Sequence, residues 1–164
     1  MKSYRQAAVF HRAVRWTAST RPMARLYGVI QQPLDQLVYR ASQGRTTATA
    51  WLAGIKVTML TTTGARTGLP RTVPVLGVPD GSEIIVIASN YGRPHHPAWY
   101  HNLRGDPHAT ILVDGVRTEV VAHELHGADR DRDYRRAEEL FPGFSHYGRW
   151  ASHRTIPVLR LRPR

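Results

Sequence analysis

The sequence predicts a mainly β protein with flanking helices, in which about six antiparallel strands form a closed or split barrel. Three runs between residues 55 and 88 are rich in Val, Ile and Thr and are bounded by Gly, Pro or Asp, which is typical of strands, and three further strands are expected after residue 107. Two connections contain Asp80-Gly81 and Asp114-Gly115, a strong signal for tight antiparallel hairpins. Because a barrel removes unpaired strand edges, it suits this number of strands in a 164-residue chain.

The predicted elements after residue 50 mix strands and helices. A helix is expected at residues 97–103, because proline is favoured at the first position of a helix. A second helix is expected at residues 128–140, where early aspartates suit the positive end of the helix dipole. The predicted strands cover residues 55–63, 72–78, 83–88, 108–114, 116–125 and 156–161.

Residues 1–50 are predicted to form a basic helical extension, and residues 51–164 the barrel domain. The extension holds eight Lys or Arg residues and one acid, Asp35. Its apolar residues recur at helical spacing, with interruptions at Pro22 and Pro33. Such a helix can lie on an anionic membrane surface. The same pattern fits a helix that packs on its own domain or on a partner, and both interpretations stay open.

The overall charge is the unusual feature of the composition. The formal net charge is +11, which should attract an anion such as nucleic acid, acidic lipid or a charged small molecule. Genomic bias towards arginine would give the same composition. No nucleic-acid-binding motif is present, so a nucleic-acid partner is not expected. The chain has no cysteine, no apolar run of membrane-spanning length and no secretory signal pattern, which is compatible with a cytoplasmic protein.

Two predicted loops carry candidate binding groups. The first, residues 64–71, which we call the arginine turn, holds Arg66 and Arg71 between two predicted strands. Guanidinium groups bind phosphate or carboxylate through paired hydrogen bonds, although a hairpin with solvated arginines would look the same. The second, residues 89–96, which we call the serine loop, begins with Ser89 and Asn90. These polar groups could meet the edge of a planar heterocycle, or serve as ordinary turn residues.

Aromatic residues recur at a spacing of three near the C-terminus. They are Phe141, Phe144, Tyr147 and Trp150. On a helix they would form a stripe that either packs in the core or forms an apolar wall for a flat substrate. The nine histidines show no metal-ligand spacing, and no metal site is predicted.

Three motifs in the same order resemble the deazaflavin-dependent nitroreductase family of actinobacteria. They read LTTTGARTGLPRTVPVL (60–76), IASNYGRPHHPAWYHNL (87–103) and FPGFSHYGRW followed by RTIPVL (141–159). The resemblance covers roughly residues 50–164. It implies a split β-barrel related to FMN-binding split barrels, and a coenzyme-binding domain at residues 51–164.

The resemblance also implies an activity. Family members use coenzyme F420, rather than FMN, in its reduced form and pass hydride to quinones or similar planar acceptors, and some reduce nitro compounds. A cytoplasmic protein that contacts the inner face of the membrane through residues 1–50 would meet membrane quinone there. A homodimer is possible for this family. The alternative is a non-catalytic F420 or FMN binding protein at the membrane surface.

The motifs imply site residues in this chain. Arg66 stands where relatives often have Lys, and Phe141 and Phe144 stand where some have Tyr, so weak or absent nitro-compound reduction is expected. Ser89 and Tyr147 are the candidate catalytic donors to the acceptor oxygen. The implied coenzyme-binding residues are Ala65, Arg66, Thr67, Arg71, Thr72, Val73, Pro74, Val75, Leu76, Ile87, Ala88, Ser89, Asn90, Ala98, Trp99, Tyr100, His101 and Asn102. The implied substrate-binding residues are Leu76, Phe141, Phe144, Tyr147 and Trp150.

Overall fold

The computed structural model describes residues 57–164 without a gap, together with Gly54 and scattered positions between 11 and 49. The predicted helical pattern of residues 1–50 therefore lies mostly outside the described residues. Among the described residues, no helix is long and apolar enough to cross a membrane. The strands are β1 (Val57–Thr63), β2 (Pro70–Asp80), β3 (Glu83–Ile87), β4 (His108–Val113), β5 (Val116–Leu125) and β6 (Val158–Pro163). The helices within residues 57–164 are α1 (Ala98–Gly105), α2 (Gly127–Leu140) and α3 (Gly143–Trp150), and a short 3-10 turn covers Asn90–Gly92.

The strands form a closed antiparallel barrel, which confirms the predicted fold class. Their order around the barrel is β1-β2-β3-β6-β5-β4, and β4 pairs with β1. The boundaries differ from the prediction where the ladder continues through proline. Pro70 pairs with Thr63, so β2 begins two residues earlier than expected. Pro163 pairs with Val120, so β6 lies two residues further along the chain than expected.

The two tight hairpins are confirmed, with one shift of register. Asp80 pairs with Glu83, so the first turn is formed by Gly81-Ser82 rather than by Asp80-Gly81. The second turn has positive φ angles of 51° at Asp114 and 82° at Gly115, as a type I′ hairpin requires. Glycine at the second position removes the steric cost of that backbone conformation.

Two apolar clusters hold the fold together, one on each side of the barrel wall. Along β3, Val86 belongs to the cluster inside the barrel, while Ile85 and Ile87 belong to the cluster between the wall and helices α2 and α3. This alternation is the strand period of two, and it explains why β3 is apolar throughout. Leu103 and Tyr100 of α1 join the inner cluster. Helix α1 therefore covers one end of the barrel.

An ion-pair network lies on the outer wall beneath α2. We call it the outer ion-pair face and define it by Asp80, Glu83, Asp133, Arg136 and Arg160. Arg160 donates to Asp133 at 2.7 Å and to Glu83 and Asp80 at 2.8 Å each. Asp133 is fully buried, and the hydrogen bond from Arg136 lowers the pKa of Asp80. The network joins β2, β3, β6 and α2.

The three long connections leave the barrel at the same end. Because adjacent strands are antiparallel, β1, β3 and β5 run in one direction, and each is followed by a long connection. These connections are residues 64–69, 88–107 and 126–157, and we call this side of the barrel the loop end. Both tight hairpins lie at the opposite end. The arginine turn, the serine loop and the aromatic stripe, which are far apart in sequence, are therefore brought to one end.

Candidate functional site

The arginine turn is a closed and well-bonded loop. The Gly64 N–H donates to Leu69 O at 2.9 Å, and the Gly68 N–H donates to Gly64 O at 2.7 Å. Gly68 has a positive φ of 65° with open space around it. Thr67 Oγ1 also accepts the Leu69 N–H at 3.3 Å, so the backbone of the turn is held by bonds within the turn itself.

Asn102 of α1 fastens the arginine turn to the barrel. Its Oδ1 accepts the Ala65 N–H at 3.0 Å, and its Nδ2 donates to Thr62 Oγ1 at 2.9 Å. Asn102 is only 9% exposed, so both bonds are shielded from water. The polar groups of this predicted coenzyme residue are therefore used within the protein, and Asn102 positions the turn.

Arg66 and Arg71 are exposed, and neither forms an ion pair or side-chain hydrogen bond with the residues that the structure describes. Asp106, which precedes β4, already accepts hydrogen bonds from other residues. Asp106 accepts from Thr63 Oγ1 at 3.1 Å and from the His108 backbone N–H at 3.1 Å, which lowers its pKa. The two guanidinium groups are therefore available to an external anion.

The serine loop has an unusual backbone. Asn90, Tyr91 and Gly92 have positive φ angles of 49°, 56° and 72°. A run of left-handed residues is costly for side chains other than glycine and persists only where the surroundings hold it. Asn90 Nδ2 donates to His95 O at 2.8 Å. Ser89 is 7% exposed, and its Oγ forms no hydrogen bond with any residue in the described part of the chain.

The serine loop lies directly against α3. A Cβ atom on Gly92 would come within 3.1 Å of the Trp150 side chain and 3.2 Å of the Tyr147 backbone. The Tyr91 ring meets the Tyr147 ring edge-on, with 6.1 Å between the centroids. The structure thus brings together the serine loop and the C-terminal aromatic residues, as a shared site requires.

The aromatic residues divide between core and surface. Phe144 and Tyr147 are 4% and 3% exposed and belong to the outer apolar cluster. Phe141 and Trp150 are half-buried and pack on its edge. Phe141 lies before α3, so the predicted stripe is only partly helical. Core packing therefore accounts for Phe144 and Tyr147, while an acceptor wall at the half-buried Phe141 and Trp150 stays a prediction.

The remaining predicted residues differ in their contacts and in their exposure. Val73 and Val75 of β2 pack against the inner cluster, and Leu76 packs against the outer one. The Tyr100 hydroxyl donates to Glu124 at 3.1 Å, and burial, followed by this carboxylate, raises its pKa. Of the others, Thr67, Ala98 and His101 are exposed, Pro74 and Trp99 are half-buried, and Ile87 and Ala88 are buried. Thr72 Oγ1 lies 2.8 Å from Thr61 Oγ1.

Tyr91 is a further candidate site residue, which the sequence did not indicate. Burial, followed by the Asp35 carboxylate, raises its pKa to about 12, so the phenol stays protonated at neutral pH. A protonated phenol is a hydrogen-bond donor. The only sequence signal is its place next to Ser89-Asn90. Asp35 is fully buried and accepts from the Thr49 N–H at 2.8 Å.

A cavity of about 340 Å³ was also not predicted. It opens between α1, the end of β5 and the start of β6, and Tyr100, Glu124 and Ile156 are among its lining residues. Its residues come from three separate parts of the chain, which no local motif could show. Among the described residues, no three His, Asp or Glu side chains lie close enough together to hold a metal ion.

Comparisons with known proteins identify the family of this chain. The family profile described as "F420H(2)-dependent quinone reductase" matches residues 34–163. An F420H(2)-dependent quinone reductase of Mycobacterium tuberculosis is 33% identical over 147 residues, which cover 87% of this chain and 96% of the relative.

Two solved structures are also similar to this chain. A structure described as an F420-H2 dependent reductase has a TM-score of 0.60 and 31% identity, and covers 65% of this chain and 93% of its own. A second, described as a domain-swapped dimer, has a TM-score of 0.63 and 30% identity, and covers 77% of this chain and 95% of its own. The chain therefore belongs to the F420H(2)-dependent quinone reductase family.

Proposed function

We propose that this protein is an oxidoreductase that passes hydride from reduced coenzyme F420 to a quinone or a similar planar acceptor. The observation that carries the proposal is the loop end itself. Within the described residues, the Arg66 and Arg71 side chains and the Ser89 Oγ have no hydrogen-bond or ion-pair partner, and the serine loop lies against aromatic residues of α3. An anionic tail, a polar ring edge and an apolar acceptor each find a matching surface.

The residues of the arginine turn fit the anionic tail of the coenzyme. Arg66 and Arg71 would hold its phosphate and glutamate groups by charge-assisted hydrogen bonds. Asn102 keeps the turn in place by its bond to the Ala65 N–H. Residues 65–67 and 71–76 would follow the tail, and residues 87–90 and 98–102 would surround the ring.

The aromatic residues between Phe141 and Trp150 would hold the acceptor beside the deazaflavin ring. When bound, the reduced deazaflavin supplies a hydride and a proton, which together convert a quinone to a quinol. The Ser89 hydroxyl can donate a hydrogen bond to the acceptor oxygen that gains negative charge. The Tyr147 hydroxyl is the second proposed donor, and Leu76, Phe141, Phe144 and Trp150 form the proposed apolar wall. Fixing donor and acceptor in reactive contact is the protein's main contribution.

Nitro compounds are the weaker proposed substrates. Phe141 and Phe144 carry no hydroxyl that could donate to a nitro oxygen. Phe144 is also buried in the outer cluster, so it contributes packing rather than a polar contact. Quinone reduction should therefore exceed nitro reduction.

The activity is tested by mixing purified protein, reduced F420 and menadione and following the absorbance of the coenzyme. The proposal expects oxidation of the coenzyme well above the protein-free rate, with one quinol formed per coenzyme. Coenzyme binding without such oxidation would instead support a non-catalytic F420 or FMN carrier. A rate equal to the protein-free control, without binding, would refute both.

Contact with a membrane is proposed for residues 1–50. The segment is strongly basic, and among its described residues Trp16 and Leu37 are 64% and 65% exposed. Such a surface suits anionic lipid. Co-sedimentation with vesicles of anionic lipid, but not with neutral vesicles, is expected. Equal recovery with both would contradict the proposal.

A homodimer is proposed because one similar structure is described as a domain-swapped dimer. Sedimentation of the purified protein at several concentrations tests it directly. A mass of twice 18.5 kDa is expected, and a single monomeric species throughout would contradict it.

A further inference from the structure

Arg154 forms an unusual set of contacts behind the serine loop. It lies in the connection between α3 and β6, within the RTIPVL motif. Its Nη2 donates to Ser89 O at 2.9 Å and to Arg93 O at 3.1 Å, and its Nε donates to Arg93 O at 3.2 Å. One guanidinium therefore bonds to the backbone on both sides of the left-handed segment Asn90–Gly92.

The fourth contact of Arg154 fixes the state of His96. Arg154 Nη1 lies 2.9 Å from His96 Nδ1. Since a guanidinium only donates, Nδ1 must accept and the imidazole must be neutral. Burial, followed by the charge of Arg154, lowers the pKa of His96, in agreement with this geometry.

We propose that Arg154 is a positioning residue for the reaction, which holds Ser89 and the left-handed serine loop in place and is itself supported by neutral His96. The inference rests on the proposed function, because that function gives the serine loop its role at the deazaflavin ring. Arg154 acts through the backbone carbonyls of Ser89 and Arg93, and no contact with coenzyme or acceptor is assigned to it.

The physical reason is the cost of the loop conformation. Left-handed φ angles at Asn90 and Tyr91 are unfavourable unless neighbouring contacts determine them. Short-range bonds within the loop run from the Gly92 N–H to Ser89 O and from the Arg93 N–H to Asn90 O, both at 3.0 Å, and from Asn90 Nδ2 to His95 O at 2.8 Å. Arg154 adds the long-range bonds that connect the loop to the chain after α3. His153 supports the same loop, with its Nε2 at 3.2 Å from Pro94 O.

The role of His96 makes the contact sensitive to pH. Protonation would remove the Nδ1 acceptor and place a second cation beside Arg154. Because the folded pKa is lowered below 6.5, the neutral form predominates above about pH 6.5, and the contact weakens as pH falls from there through the folded pKa. The charged and titratable groups around the imidazole are Arg154 from the chain after α3, Tyr100, His101 and Arg104 from α1, and Glu124 from β5. His126 and Arg130 line the 340 Å³ cavity together with His96.

Hydrogen exchange of the coenzyme-free protein tests the positioning role first. In Arg154→Gln, the amides of Gly92 and Arg93 should lose protection by about tenfold or more, because local opening becomes easier. Arg154→Lys keeps the charge but not the paired geometry, so its amide protection should lie between that of Arg154→Gln and that of the wild type. Arg149→Gln is the matched control, since Arg149 is exposed on α3 and bonds only to His146 among the described residues. Wild-type protection of both amides in Arg154→Gln would overturn the inference.

Kinetics of the same variants give the second readout. Arg154→Gln should lower kcat/KM for reduced F420 by on the order of tenfold to a hundredfold, since a small misplacement of a reacting group is costly. Arg149→Gln should stay within about twofold of wild type. A wild-type protein that neither binds nor oxidises the coenzyme would refute the proposed function, while the exchange result would still decide the role of Arg154.

The variant His96→Asn isolates the pH dependence. Its side-chain Oδ1 can accept from Arg154, but it does not titrate. In the wild type, the protection factors of Gly92 and Arg93 should fall as pH is lowered below about 6.5. In His96→Asn they should stay constant over that interval. An equal fall of these protection factors in both proteins would show that His96 does not cause the pH dependence.

Discussion

The outer ion-pair face and the loop end are both rich in arginine, but they use it in opposite ways. On the outer face, Arg160 reaches three carboxylates within 2.8 Å, and one of them, Asp133, is fully buried. At the loop end, Arg66 and Arg71 have no acid among the described residues to pair with. The first arrangement joins strands to a helix, and the second leaves positive charge for a ligand.

The comparison shows why a net charge cannot by itself identify a function. An arginine with a buried partner contributes to folding, because removing either member leaves a charge uncompensated. An exposed arginine without a partner contributes little to folding and remains free to bind an anion. The two classes predict opposite effects of mutation, and the following changes are designed to test that.

The largest effect on stability is expected from Asp133→Ala. It removes the buried acceptor of the Arg160 Nε, and loss of one member of a buried pair costs about 3–5 kcal/mol. Urea denaturation should show this loss, while F420 affinity of the folded protein should stay within about twofold of wild type.

Asp129→Ala serves as the control for Asp133. Asp129 bonds to Arg132 at 2.6 Å, but both side chains are more than half exposed. Its loss should cost less than about 1 kcal/mol. Equal destabilisation by the two changes would contradict the distinction between a buried and an exposed pair.

A smaller effect, shared between stability and binding, is expected at Asn102. In Asn102→Ala, the Ala65 N–H and the Thr62 hydroxyl lose their partner, which should cost about 1–3 kcal/mol and loosen the arginine turn. Asn102→Asp can accept from both groups but adds a negative charge beside the turn. Urea denaturation and F420 titration should therefore show partial recovery of stability in Asn102→Asp without recovery of affinity. Unchanged stability and affinity in Asn102→Ala would contradict the positioning role.

The smallest expected effect is a change in tyrosine ionisation at alkaline pH. It concerns Tyr91 at the loop end and Tyr134 in the outer cluster. Burial is the first cause that raises the pKa of Tyr91 and of Tyr134 to about 12. Tyr134 lies in the outer cluster, where its hydroxyl donates to Phe144 O at 2.8 Å. Since the folded pKa exceeds the ordinary tyrosine value of 10.0, each phenol contributes stability below pH 10 that is lost as pH rises towards 12.

Absorbance titration of phenolate formation provides the measurement. The native protein should show late ionisation, and Tyr91→Phe and Tyr134→Phe should each remove one late group. Ionisation of every tyrosine near pH 10 would show that neither site is buried as described.

The sequence predicted the barrel and the loops because both depend on local chemistry. The Val and Thr residues along Val57–Thr63, which Gly64 follows, and the Asp114-Gly115 turn are local signals for a strand and a hairpin. The turn between β2 and β3 moved by one residue, because ladder pairing of Asp80 with Glu83 is a tertiary effect. The prediction that the two loops bind a coenzyme came from the resemblance rather than from any one residue.

The interactions that hold the site together could not be predicted. Asn102 is separated from Ala65 by 37 positions, and Arg154 from Ser89 by 65, so only the folded barrel brings each pair into contact. Tyr91 was missed for the same reason, since its ring contact with Tyr147 of α3 and the effect of the Asp35 carboxylate on its pKa join residues that are far apart in sequence. Phe144 was assigned to an acceptor wall, but the structure places most of its surface in the core. The roles of the individual site residues remain predictions.

The most direct test of the account is a fluorescence titration of F420 into three proteins at low and high salt. Arg66→Ala/Arg71→Ala should weaken binding at low salt by at least about tenfold, because charge-assisted hydrogen bonds are lost. The difference should shrink at high salt. Arg117→Ala/Arg164→Ala removes the same charge outside the proposed site and should bind like the wild type. Equal affinity of the wild type and both double variants would contradict the central claim that the unpaired arginines at the loop end bind the coenzyme.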